Sequence, residues 1–243
     1  AGDAGARHIP CRQCAAAHPP HRPHCRGAHS FPATGSAHNL GENNSVIKLL
    51  EEGATIYGIA RNHQKFQPDT DRYKPVTADV TDLHAISEKL SDLLVSNSRI
   101  DGFISNAGYG SFDNLENFSP ERISSYINDN LTSHLVVTRC LLPHFKTRNR
   151  GDIILMGSEA ALEGAKKGSL YCAAKFGLRG FSQSIRQETS NKDICVTLIN
   201  PGMVRTAFFD ELKFRPGDDD DNAIEAKDIA NIVVNILTMR SGT

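Results

Sequence analysis

Apolar positions along this chain fall into two rhythms. Ala54–Ala60, Val76–Val80, Ile100–Ser105, Ile153–Met156 and Cys195–Asn200 are short, nearly continuous apolar runs, several of them rich in β-branched residues. Such runs predict strands buried on both faces. Between them lie stretches whose apolar residues recur with helical spacing. Val46 to Gly53 closes on a glycine cap, the stretch from Tyr126 to Val137 carries Asn130 among apolar neighbours, and a third helix holds Tyr171. The expectation is an α/β fold, a single doubly wound Rossmann-like parallel sheet flanked by helices, which 243 residues can build as one domain.

Chemistry concentrates beyond the fourth of these apolar runs. Ile153–Met156 delivers Gly157 and Ser158, and Tyr171 follows thirteen positions later with Lys175 four residues beyond it. Tyr and Lys at i and i+4 share a helix face, so a phenol and an ammonium stand together. A phenol with a pKa near ~10 is a poor acid–base group at neutral pH, and a neighbouring cation favours its phenolate. Many surface helices carry a Tyr-x-x-x-Lys pair by chance. Here it is accompanied, in order, by Thr34-Gly35 with Gly41, Asp79-Val80, Asn106-Ala107-Gly108, Asn130, Ser158 and Pro201-Gly202.

With these residues the chain, from about Thr34 onward, resembles the short-chain dehydrogenase/reductase family. The resemblance implies hydride transfer between a nicotinamide cofactor and a small-molecule carbonyl or alcohol, with Tyr171 as acid/base and Ser158 as hydrogen-bond donor to the same oxygen. It implies that Lys175 lowers the tyrosine pKa and grips the cofactor ribose, and that Asn130 holds a water linking the lysine to solvent. The cofactor turn is expected in Thr34-Gly35-Ser36-Ala37-His38-Asn39-Leu40-Gly41, where Asn39 stands in for a glycine; Gly35, Ser36, Asn39, Leu40 and Gly41 would face the diphosphate. By resemblance Asp79 and Val80 are expected at the adenine, Asn106, Ala107 and Gly108 along the cofactor, Pro201 and Gly202 among the cofactor-binding residues, the Val204 backbone at the carboxamide, and Thr206 at the diphosphate. Ala60 and Arg61 end the second strand, where a carboxylate would repel a 2′-phosphate, so NADP is favoured with NAD the alternative.

The resemblance also exposes two weak ends. The family places a buried strand directly before its Thr-Gly turn, and here that slot contains Pro32, which lacks a ladder donor. The chain stops at Thr243, where the family begins its last strand, so the first and last strands are expected to be poorly encoded or missing. Residues 1–33 hold five of ten His, five of eleven Pro and Cys11, Cys14 and Cys25, without apolar periodicity. They read as a disordered or aberrant, off-frame segment, with the Rossmann-like domain spanning 34–243. A zinc reading of Cys11-x-x-Cys14 with His18, His21, His24 and His29 is disfavoured by the short gaps, and no metal is expected.

Charge narrows the function classes further. Lys+Arg 27 against Asp+Glu 28 gives a net charge of −1 and no basic field for nucleic acid or anionic lipid. No apolar stretch approaches spanning length, so a cytoplasmic protein without membrane contact is expected. Phe208, Phe209, Leu212 and Phe214 look like a lid with an apolar inner face, followed by a solvated run at Asp218–Asp221. Small residues Ala173, Ala174 and Gly177 permit close helix packing. By resemblance a homodimer is expected, a tetramer less so, and His134 and His144 match no motif and are read as structural. An active NADP-dependent oxidoreductase and a silent cofactor-binding or interaction protein, or a nonfunctional fragment, both remain open.

Overall fold

The structure, a computed structural model, describes residues 29–34, 40–97, 99–219 and 223–239. Strands β1 (Ser30–Thr34), β2 (Thr55–Ala60), β3 (Tyr73–Thr77), β4 (Gly102–Ser105), β5 (Arg150–Met156) and β6 (Asp193–Ile199) form one parallel sheet in the order β3-β2-β1-β4-β5-β6. Helices α1 (Leu40–Glu51), α2 (Leu83–Ser96), α3 (Pro120–Ile127), α4 (Ser133–Arg148), α5 (Ser169–Glu188) and α6 (Ala226–Thr238) flank it. A second, small parallel pair joins β7 (Val204–Arg205) to β8 (Ile224–Glu225). Among the described residues no further strand extends the main sheet beyond β6.

The continuous apolar runs are explained by cover on both sides. Ile153 and Leu155 of β5, with Phe103 of β4, pack with Leu90 of α2, Leu141 and Phe145 of α4 and Leu178 of α5. The alternate residues Ile154 and Met156, with Ile56 and Ile104, pack on the opposite face with Leu49 and Leu50 of α1 and Val233 and Val234 of α6. Period-two side chains on a doubly covered sheet leave no polar face to mark the pattern.

The strand doubted because of Pro32 is present. Phe31 and Ala33 are buried, and β1 runs in register with β2 along its whole length, from Ser30 opposite Thr55 to Thr34 opposite Ile59. Against β4 it is in register only at Ala33 and Thr34. The missing N–H of Pro32 falls on that thinner side, because Ser30, two residues earlier, bonds toward β4 through its carbonyl to Asp101 N at 2.8 Å. A side chain strengthens the start of the strand. The Asp101 carboxylate, 3 % exposed, accepts from Ser30 N at 3.1 Å and from Arg148 Nη2 of α4 at 3.1 Å, with Arg99 Nε at 3.4 Å. The folded domain therefore starts before the expected boundary at residue 34. The Cys11–Cys14 segment and Gly35, Ser36 and Asn39 lie outside the described residues.

Element bounds shift modestly. The third strand ends at Thr77, leaving Asp79 and Val80 in the connection to α2, and the helix expected around Asn130 is interrupted. Residues Asn128–Thr132 form a π-helical segment between α3 and α4, in which Ser133 N reaches back to Asn128 O. Such an inserted residue widens one turn and often marks a functional site. Among the described residues no helix is long and apolar enough to cross a membrane, and no cluster of three metal-ligating side chains occurs.

Candidate active site

Strands β5 and β6 together aim Ser158. Gly157 N continues the ladder onto Ile199 O at 2.7 Å, Ser158 N donates to the Asn200 side chain at 3.2 Å, and Glu159 N donates to Pro201 O at 2.9 Å. A Cβ on Gly157 would collide with the Asn200 Oδ1 that receives Ser158 N, which is why glycine stands there. The Ser158 hydroxyl accepts from Ala160 N at 3.2 Å, capping a short 3-10 turn at Glu159–Ala161. Arg179 of α5 donates to Ala161 O at 3.2 Å, tying that turn to the helix that carries Tyr171 and Lys175.

Both side chains are buried on the same face of α5, as their spacing requires. Burial raises the Tyr171 phenol above its ordinary value, opposed by a hydrogen bond from Ser158. Burial alone pulls Lys175 down to about 8. The ammonium lies over the ring, 5.8 Å from its centroid, and donates to Met156 O at 2.9 Å rather than to the phenol.

A floor beside these groups comes from the carboxyl end of β4. Asn106 N donates to Thr34 Oγ1 at 3.2 Å, linking the ends of β1 and β4 where strand order reverses, the place where open α/β sheets take their ligands. Asn130, 1 % exposed, is satisfied within the chain: its Oδ1 accepts from Tyr109 N at 2.9 Å and its Nδ2 donates to Tyr126 O at 3.1 Å. The side-chain amide therefore braces the floor. Gly108 packs so closely that a Cβ would come within 2.8 Å of Asn130 Oδ1. One turn later on the helix, His134 Nδ1 meets Ser105 Oγ at 2.5 Å. Burial, with the Lys175 charge second, pulls His134 down to about 3, so the ring is neutral at working pH. Asn130 and His134 thus hold the segment on either side of Asn106–Gly108.

These groups open into one cavity of about 900 Å³. Of the expected site residues, Asn106, Gly108, Asn130, Ser158, Tyr171, Lys175, Pro201, Gly202, Val204 and Thr206 line it. A site of this size suits a nicotinamide portion plus a substrate. Ala107 lies behind the wall, near His134. Leu40 and Gly41 begin α1. Arg61 is exposed at the end of β2, and its charge helps lower the Asp79 carboxyl; burial opposes that lowering, and hydrogen bonds from Thr81 N at 2.9 Å and Thr81 Oγ1 at 2.8 Å support it. Val80 packs against the core. Thr206, expected at the diphosphate, uses its hydroxyl to accept Phe208 N at 3.3 Å and cap the lid turn.

Sequence reading overlooked several residues here. Phe112 and Leu162 line the cavity, Asn200 aims Ser158, and His134 bonds Ser105. Only His134 carried a local signal, standing four residues after Asn130 on the same face. Of the small residues expected to permit close helix packing, Ala174 is fully buried and Gly177 packs on Leu131 inside the chain.

Known proteins resemble this chain in sequence and fold. A family model described as short chain dehydrogenase matches residues 33–215. An uncharacterised oxidoreductase of Staphylococcus epidermidis is 29% identical over 212 residues, 86% of this chain and 90% of the relative. An NADP-dependent 3-hydroxy acid dehydrogenase of Schizosaccharomyces pombe is 31% identical over 173 residues, 68% of this chain and 67% of the relative. The solved structure of ElxO with NADP bound superposes with a TM-score of 0.77 at 18% identity, covering 89% of this chain and 93% of that one.

Proposed function

Because the chain belongs to the short-chain dehydrogenase family, we propose that it is an NADP-dependent oxidoreductase that reduces a ketone or aldehyde to an alcohol. The observation that carries this reading is the convergence of Ser158, Tyr171 and Lys175 on the floor of one cavity at the switch point of the sheet. The bound nicotinamide supplies the hydride chemistry. The residues supply a place for the carbonyl oxygen and a proton for it. Tyr171, kept protonated by burial, is a competent acid toward an oxygen that gains charge, and Ser158 adds a second hydrogen bond there. Lys175, with one of its three donors on Met156 O, has others left for the cofactor ribose.

NADP over NAD is supported by the cation at Arg61, at the strand end where NAD-binding folds carry a carboxylate, and by the NADP-dependent relative. A homodimer through the outer face of α5 is part of this reading, supported by Phe176 at 42% exposure and by the exposed Ala173 beside it. The test is Tyr171→Phe. It is expected to lose turnover by at least a thousandfold, while NADPH still raises the melting temperature and NADH raises it less. Wild-type turnover in the variant would remove Tyr171 from the chemistry.

A further inference from the structure

Resting on this reading of the cavity, we infer that the substrate is a ketone or aldehyde, or the matching alcohol, carried on an apolar group at least the size of a benzene ring. Sugars, amino acids and short hydroxy acids are excluded. The juxtaposition that carries this is a closed circuit of five aromatic rings that includes the proton donor itself. Phe112 lies 5.0 Å from Tyr171 and 4.9 Å from Phe214, Phe214 lies 5.9 Å from Phe209, Phe209 lies 5.0 Å from Phe208, and Phe208 lies 6.0 Å from Tyr171, centroid to centroid. Every neighbour is within aromatic contact range. A carbonyl that reaches the Tyr171 hydroxyl therefore brings its substituents against phenyl surface.

The same cavity collects apolar surface that has no cover. Phe214 at 42%, Tyr109 at 44% and Leu162 at 54% exposure come from three separate loops and all line it. Apolar side chains gathered this way around a concave site are covered by a ligand. The strap that carries Phe208, Phe209 and Phe214 is tied at its ends. Arg205 Nη2 donates to Gly217 O at 2.9 Å and Arg205 Nη1 pairs with Glu225 at 2.8 Å, so the wall exists before substrate arrives.

Charge does not compete with this wall. Apart from Lys175 and the half-buried Asp113, the charged lining residues are exposed and carry both signs, with Glu163 near Lys166 in sequence and Glu211 near Lys213. Arg122, Lys166, Lys167, Lys175 and Lys213 stand against Asp113, Glu159, Glu163 and Glu211, a near balance that selects no strongly charged head group. Hydroxyls of a polyhydroxylated substrate that lie against the phenyl wall would lack partners there, which discriminates against it. In the step itself the carbonyl carbon would gain a hydride with its electron pair from bound NADPH, released as NADP⁺, and the oxygen would gain the Tyr171 proton, which solvent replaces. The product would be the alcohol.

The experiment uses the full chain with NADPH and compares kcat/KM for acetone, acetophenone and longer phenyl alkyl ketones against acetoacetate and glucose. Serine is tested with NADP⁺ in the reverse direction. The expected result is at least a hundredfold rise from acetone to the phenyl ketones, with acetoacetate, glucose and serine at or below acetone. Phe214→Ala should cut kcat/KM for the phenyl ketones about tenfold, and Phe214→Leu should recover most of it. Leu162→Ala repeats the test on the opposite wall, and melting temperatures confirm that each variant folds. Highest activity on glucose, serine or acetoacetate, or unchanged phenyl ketone turnover in both alanine variants, overturns the inference alone. A wild-type chain whose melting temperature NADPH does not raise, and which turns over none of these compounds, overturns the dehydrogenase reading and the inference with it.

Discussion

Replacing Asp101 by Asn tests how a strand with a proline in it is held in the sheet. The carboxylate receives Ser30 N on one oxygen and Arg148 Nη2 on the other, and its side chain is 3 % exposed. An asparagine keeps one acceptor oxygen, so it can serve the strand or the arginines but not both. A hydrogen bond to a charged group contributes about 1.5–3 kcal/mol. Arg99 is half exposed, and its share is small after solvent screening. The expected loss is therefore about 2–3 kcal/mol, or roughly 5–10 °C in melting temperature for a chain of this size.

The pH dependence is a sharper test. Burial works to raise the Asp101 carboxyl, yet the bonds from Ser30 and Arg148 and the charges of Arg99 and Arg148 outweigh it and hold the group below its ordinary 3.8. A lowered carboxylate adds stability that is complete above the unfolded value and is lost as pH falls through the folded one. The gap between wild type and Asp101→Asn should be constant from pH 7 to pH 5 and close below about pH 4, where the unfolded carboxyl protonates. Thermal unfolding followed by circular dichroism across that range measures it. Equal melting temperatures at pH 7, or a gap indifferent to acid, would refute the claim that this carboxylate anchors β1.

Two further outcomes are expected. Moving Lys175 from 10.5 to about 8 corresponds to roughly 3 kcal/mol of burial cost, present in full below about pH 8 and fading as pH rises toward 10.5. Lys175→Met should thus be more stable than wild type by about 1–3 kcal/mol at pH 7, allowing for its lost bond to Met156 O, with the advantage shrinking by pH 10 in urea titrations and turnover abolished; a less stable variant at pH 7 would contradict it. Gly157→Ala forces the Asn200 side chain away from Ser158 N. It should cost about 1–3 kcal/mol and at least tenfold in kcat, and normal turnover in a melted-and-assayed sample would show that Ser158 is aimed by something else.

Chemistry that depends on spacing within one element was legible in the sequence. Tyr171 and Lys175 are one helical turn apart, and the apolar run before Ser158 could only be a buried strand. Relations that span the chain were not. Pro32 violates a local rule for central strands, but the sheet tolerates it because Phe31 and Ala33 are buried and Asp101 binds Ser30 from 71 residues away. No pattern announces that a side chain will substitute for part of a ladder. The partner of the Lys175 ammonium was not legible either, since spacing fixes the face of the helix and not the carbonyl toward which a flexible ammonium turns. His134 and Ser105 lie 29 residues apart and meet only through packing of α4 on β4. Phe112 joins the aromatic circuit from a loop with no periodicity to read.

Asn130 and His134 grip two places on the plank between Ser105 and Tyr109, one from the π-helical turn and the other from the first turn of α4 that follows it. Any axial slip of this helical stretch carries the plank with it as a single piece. Substitutions on its far side, remote from every ligand, would therefore be felt as a change in how tightly the nucleotide is seated.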